Sequence, residues 1–256
     1  MQQKNIAVKR RQASNQFDIY PSTSKKTATD IPFYTNEENI LTNLLADTLQ
    51  TTIQQVHFRI DRLPDVHIIH SQPTDSLLKI MMHRSDNFFA EQTLLMVSNE
   101  KLGMMNDEKI IDTLLKTDYK DLPQQPQWVD GSGLSRYNLF SPKDFVTVLE
   151  KMKNEFSWNR ITTIFPTGNE GTLTGLYKNY VGKIYAKTGT LNNNVALSGF
   201  VTTNKNHQYI FSFLVSNHQT PASAIRKDFE KFIGTIVEKI LKKEKMQEIM
   251  KYSAIP

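Results

Sequence analysis

The stretch that most constrains this chain runs from Lys183 to Val201. Ile184-Tyr185-Ala186 is a short β-branched and aromatic run that leads into Lys187-Thr188-Gly189-Thr190. An Asn-rich turn follows, and then a second apolar run from Val195 to Val201. Two such runs around a polar turn predict a β-hairpin with a lysine and two hydroxyls at the turn end of its first strand. Gly189 leaves room for something to lie against the backbone there. On its own the stretch admits two readings: an ordinary hairpin with a solvated lysine, or a receptor for a carboxylate-bearing, peptide-like ligand.

The rest of the chain narrows the function classes. At 256 residues with 14 Phe and 9 Tyr, it is long enough and apolar enough for one large domain or a domain and part of another. There is no cysteine, which excludes thiolate zinc sites, cysteine nucleophiles and disulfides. Net charge is a modest +5, and no stacking aromatics interleave with the basic clusters, so a nucleic-acid partner is not expected. No run of about 18 apolar residues predicts a transmembrane helix. Met1 to Tyr20 lacks the apolar core of a secretory signal.

In order, Phe17, Ile19 and Tyr20 predict one short strand in a polar opening, and residues 36–54 predict an amphipathic helix. Val56–Ile60 and Val66–His70 alternate like strands. His67 and His70 would then face opposite ways, which disfavours a shared metal, and none is expected. Ser71 to Asp75 reads as a helix start, with Leu77, Leu78, Ile80, Met81 and Met82 inward. That helix runs into Ser85-Asp86-Asn87, and another resumes at once through Phe88 and Phe89. A polar triplet amid apolar density must satisfy its own hydrogen bonds or do something.

Further helices are predicted over 106–119, over 142–153 behind a Ser141-Pro142 cap, and over 221–246, with a strand at 207–216. Asp130-Gly131-Ser132-Gly133-Leu134-Ser135 predicts a tight loop. Its glycines are adjacent to Ser132, not two residues away, so it is not a nucleophile elbow. Phe165 to Leu173 is a glycine-punctuated loop suited to rim a cleft.

Taken together, Ser85-Asp86-Asn87, Asp130 to Ser135, Pro166 to Leu173 and Lys187-Thr188-Gly189-Thr190 resemble the penicillin-binding proteins. The longer strings Arg84 to Gln92, Asp130 to Ser135, Pro166 to Leu173 and Lys187 to Gly199 resemble the low-molecular-mass class C group, the serine D-alanyl-D-alanine carboxypeptidases/endopeptidases. The resemblance covers roughly residues 35–240 and implies an α/β (α+β) transpeptidase-like fold, an antiparallel sheet flanked by helices. It implies catalytic roles for Ser85, Asn87 and Lys187. Ser85 would pass a proton, Asn87 hold the substrate peptide group, and Lys187 attract the terminal carboxylate of D-Ala-D-Ala or of a β-lactam. Asp86, Ser132, Thr188, Gly189 and Thr190 would shape the substrate site, with the Thr190 N–H as an oxyanion donor. No cofactor is implied. Peptidoglycan stem peptides and β-lactams are the expected partners, in a periplasmic or cell-envelope setting.

The family's nucleophile is the serine of a Ser-x-x-Lys that starts a buried helix. Only Ser22-Thr23-Ser24-Lys25 and Ser76-Leu77-Leu78-Lys79 fit the bare pattern, and neither has the family's context. The expectation is therefore the C-terminal part of such an enzyme. Residues 1–32 would be the tail of an inserted subdomain and 33–250 the transpeptidase-like part, its sheet missing its first strands and left with an open apolar edge.

Overall fold

Residues 6–21, 31–35, 39–55 and 70–238 are described by the computed structural model, and they fall into two units, Met1–Ile69 and His70–Pro256. In the first unit the strand expected around Phe17 is β2 (Phe17–Pro21). It pairs antiparallel with β1 (Ile6–Arg10), which the sequence did not announce. Helix α1 (Ile40–Leu49) lies inside the expected 36–54 span and stops at Gln50, which takes a left-handed φ of 52°. Its leucines 41, 44, 45 and 49 are all exposed. Ser22 and the strands expected over 56–60 and 66–70 fall outside the described residues, apart from His70.

The second unit is built around the hairpin. Strands β3 (Ile184–Leu191), β4 (Asn194–Thr202) and β5 (Gln208–Ser216) form an antiparallel sheet in that order. The register places Lys187 opposite Ser198 and Thr190 opposite Val195. Successive side chains on a strand point to opposite faces, and the two faces meet different partners. Ile184, Ala186, Val195, Leu197, Val201 and Phe211 pack against Phe229, Ile233 and Val237 of the terminal helix α7 (Ala222–Glu238). On the other face, Tyr185 and Phe200 pack with Leu149 of α5 (Pro142–Glu155) and with Trp158 and Ile161 of α6 (Trp158–Ile164). Leu78 and Met82 of α2 (Thr74–Arg84) complete that layer. Helix α3 (Asn87–Leu102) and helix α4 (Asp107–Lys116) share a smaller core of Leu94, Ile110, Ile111 and Leu114, flanked by Tyr119 and Trp128.

The chain thus has the mixed helix and antiparallel-sheet architecture that the resemblance implies. Local signals account for most helix ends. Ser141 and Asp144 form a reciprocal capping box with Pro142 at the first position, and Asn106 accepts from the Lys109 N–H at 2.7 Å. Helix α2 starts later than the Ser71 signal suggests, at Thr74, behind a Pro73 that offers no side-chain cap. The seven-residue α6 went unforeseen because it spans too few residues for a period to emerge.

Candidate active site

The Ser85-Asp86-Asn87 triplet is the joint between two helices, and each residue has a structural task there. Ser85 closes α2 in the left-handed region (φ 55°, ψ 50°), with its N–H directed to the Met81 carbonyl. A non-glycine residue in that region costs about 1–2 kcal/mol. Such strain is tolerated mainly where the surroundings enforce it. Asp86 opens α3, its carboxylate accepting from the Phe89 N–H at 2.9 Å. Asn87 is the first residue of α3 and is exposed.

Lys187 meets this joint from the sheet. Its Nζ donates to Ser85 Oγ at 2.8 Å and to the Thr188 carbonyl at 2.6 Å, joining motifs 102 residues apart. Alternation explains the meeting, since Lys187 shares the face of Tyr185, which packs on the side of α2 and α6. Burial pulls its ammonium down from 10.5 to about 8. Among the described residues no carboxylate pairs with it.

The outer edge of β3 is covered only at its start. Ala186 donates its N–H to the Pro166 carbonyl at 3.1 Å, and Thr167 bridges Tyr185. Backbone groups alternate in direction along a strand, so the N–H groups of Thr188 and Thr190 point to the same outer side. There, among the described residues, no strand pairs with them. An extended peptide can add at that edge, with Lys187 and two threonine hydroxyls beside it. Gly189 is tight as well as open, since a Cβ there would lie 3.2 Å from the Ala196 Cβ.

Two further contacts hold the site in place. Gly171, at φ +50°, lies so close to α2 that a Cβ would approach the His83 carbonyl oxygen at 2.6 Å. The glycine-punctuated loop is therefore packed on α2 two residues before Ser85. Ser132 is held at a different place. Its N–H and that of Gly131 donate to the Glu91 carboxylate of α3, both at 3.0 Å. Asp130 accepts from the Gly133 and Ser135 N–H groups within the loop. Among the described residues Ser132 makes no hydrogen bond to Ser85, Asn87 or Lys187.

Two residues that the motifs did not single out belong in this description. Glu91 ties the Asp130–Ser135 loop to α3, and Arg226 of α7 donates from Nη2 to Thr190 Oγ1 at 2.7 Å. Glu91 lies inside the Arg84-to-Gln92 string that carries part of the resemblance. For Arg226 no local signal exists, because α7 reaches Thr190 only through the fold.

Comparison with known proteins bears on the family and the fold. Residues 39–235 match the D-Ala-D-Ala carboxypeptidase 3 (S13) family. The D-alanyl-D-alanine carboxypeptidase DacB of Haemophilus influenzae is 30% identical over an alignment that covers 59% of this chain and 33% of that protein. Penicillin-binding protein 4 of the same organism, solved with a β-lactam, superposes with a TM-score of 0.64 at 21% identity. That superposition covers 92% of this chain and 60% of the other. A predatory endopeptidase of Bdellovibrio bacteriovorus, in complex with its immunity protein, shares the fold over 66% of this chain and 46% of its own, with a TM-score of 0.53 and 19% identity. The chain therefore spans only part of the length of these relatives. With the match running from residue 39 to residue 235, through Ser85, Ser132, Lys187 and Arg226 alike, the chain belongs to the D-Ala-D-Ala carboxypeptidase 3 (S13) family.

Proposed function

We propose that this chain is part of a serine-type D-Ala-D-Ala carboxypeptidase/endopeptidase that acts on peptidoglycan stem peptides in the cell envelope and binds β-lactams. The observation that carries this reading is the 2.8 Å hydrogen bond between Lys187 Nζ and Ser85 Oγ. In such a site the peptide adds along the open edge of β3, and its terminal carboxylate meets Lys187 and the hydroxyls of Thr188 and Thr190. Asn87, exposed at the start of α3, holds the peptide group, while Asp86 orients the joint. Acyl transfer moves a proton from the attacking hydroxyl to the leaving amine. Ser85, bonded to a lysine whose pKa lies near 8, is placed to relay it. The Thr190 N–H is one donor for the oxyanion that develops.

A second reading rests on the position of Ser76. It is exposed on the first turn of α2, and nine residues of helix at 1.5 Å each put it about 13 Å along the axis from Ser85. It is therefore not at the Lys187 centre. This reading makes the chain a catalytically inactive remnant of such an enzyme, or a muropeptide-binding module. We extend the proposal to organisation: residues 33–250 are the C-terminal part of a transpeptidase-like domain, and 1–32 the tail of an inserted subdomain.

Fluorescent penicillin separates the readings. Binding that weakens by roughly tenfold or more in Lys187→Ala is expected under both, as the loss of a charge-assisted contact. Penicillin affinity unchanged in Lys187→Ala overturns the carboxylate site. A label that survives denaturation means that a serine of this chain is acylated and overturns the binding-module reading.

A further inference from the structure

The last turn of α2 is held by a contact without slack. Gly171 opens a 3-10 turn, Gly171–Leu173, and a Cβ on it would lie 2.6 Å from the His83 carbonyl oxygen and 3.1 Å from the His83 Cβ. Leu173 is fully buried in the core with Ile184 and Ile233, which pins the turn from its other end. On the helix side, the N–H groups of Ser85 and Asp86 both reach back to the Met81 carbonyl. His83 therefore sits inside the turn that closes α2 and delivers Ser85. Two buried polar atoms on the two sides of this contact have no partner among the described residues, His83 Nε2 and Thr172 Oγ1. Buried polar atoms are almost always paired, and an exception calls for a reason.

Few charges face His83. Lys79 lies one turn back on α2 and Glu170 stands just before the Gly171–Leu173 turn, both exposed. Arg160 of α6 is paired with Asp75, and Glu91 of α3 is taken up by the Gly131 and Ser132 N–H groups. Arg84 points into solvent, and Tyr185 of β3 is half-buried. Burial, then Lys79, favour the neutral imidazole. Glu170 and the negative end of α2 oppose them, and burial prevails. A proton would make both ring nitrogens donors, and a buried cation with nothing to bond is costly. Relief requires the ring to move toward Glu170 and water. The His83 backbone, jammed against Gly171, cannot follow without displacing the turn that carries Ser85.

We infer that His83 is a positioning residue: its uncharged ring holds the α2–α3 joint, and with it the Ser85 hydroxyl, in place against Lys187, and gaining a proton loosens that joint. The inference rests on the site reading above and adds acid sensitivity to it. Because the folded chain resists protonating this ring, the loosening sets in below the ordinary histidine value of about 6.5. It is separate from Lys187, which already holds its proton below about 8.

The test uses the full chain from about pH 5.5 to 7.5, where ordinary carboxylates stay ionised. Two quantities are followed: affinity for fluorescent penicillin, and amide hydrogen exchange at Ser85 and Asp86 corrected for the intrinsic rate. On acidification the wild type should lose affinity and gain exchange, each by about threefold or more. His83→Phe keeps a buried ring that cannot titrate, and both quantities should be flat with pH. Glu170→Gln removes the anion that favours the cation and should move the wild-type transition to lower pH, and Lys79→Gln should move it to higher pH. A wild-type joint whose exchange does not change over this range overturns the inference, as does the same acid response in His83→Phe. A transition that neither Glu170→Gln nor Lys79→Gln moves also overturns it, because a ring that only fills space is indifferent to those charges. Penicillin affinity absent at every pH overturns the site reading instead, and the exchange at Ser85 and Asp86 then decides the role of His83 by itself.

Discussion

Ser85 and Lys187 each hold an unfavourable condition that the fold imposes. Ser85 sits at φ 55°, where glycine is free of strain. Ser85→Gly should therefore raise stability by about 0.5–1 kcal/mol in a denaturant melt while removing the hydroxyl that meets Lys187. Lys187 is costlier. Its folded pKa of about 8 lies below its ordinary 10.5, so between those values the unfolded chain binds more protons than the folded one. Wild-type stability must then rise with pH across that window. Below pH 8 the full desolvation penalty is present. Lys187→Met should be the more stable protein at pH 7, by on the order of 2–3 kcal/mol. That advantage should shrink from pH 8 and vanish above 10.5, as thermal melts at stepped pH will show; a difference that does not vary with pH would mean that the lysine is solvated.

At the scale of elements, the site is a joint between α2 and α3 set against the open edge of β3, and loops hold the parts in register. Gly171 is the contact on α2, with a left-handed φ and the His83 carbonyl where a side chain would go. Gly171→Ala should cost roughly 1–3 kcal/mol through overpacking and backbone strain. Because the displaced turn lies two residues before Ser85, the variant should also lose penicillin affinity. A variant with a normal melting point and normal affinity would show that the loop gives way without moving α2. His83 has its own strain here. Its Nε2 is buried without a partner among the described residues. Burial first, and then Lys79, pull its pKa below the usual histidine value, with Glu170 opposing. The imidazole is thereby favoured neutral beside the site.

At the scale of the whole molecule, the described sheet ends on β5, which hydrogen-bonds only to β4 among the described residues. Unpaired edges of this kind template association. Phe213, Leu214 and Val215 along it are half-buried, and Tyr209 is exposed. Sedimentation should find concentration-dependent self-association, reduced in Leu214→Lys; a monodisperse, cooperatively melting wild-type monomer would count against an open edge.

Much of this was legible in the residues. Apolar alternation around an Asn-rich turn specified the hairpin, and Asn193 does take the left-handed turn conformation there. Ser141-Pro142 announced its helix, and three short motifs in one order implied the family, because each encodes a local backbone need that survives out of context. What the residues could not convey is which groups meet. Alternation says that Lys187 and Thr190 face opposite ways, but not that α2 lies on one side and α7 on the other. The Ser85–Lys187 hydrogen bond, the Glu91 clamp on Gly131 and Ser132, and the placing of Arg226 on Thr190 join residues that lie far apart in the chain. Such contacts have no local period or cap to betray them, and only the packing of helices on both faces of the sheet brings them within reach.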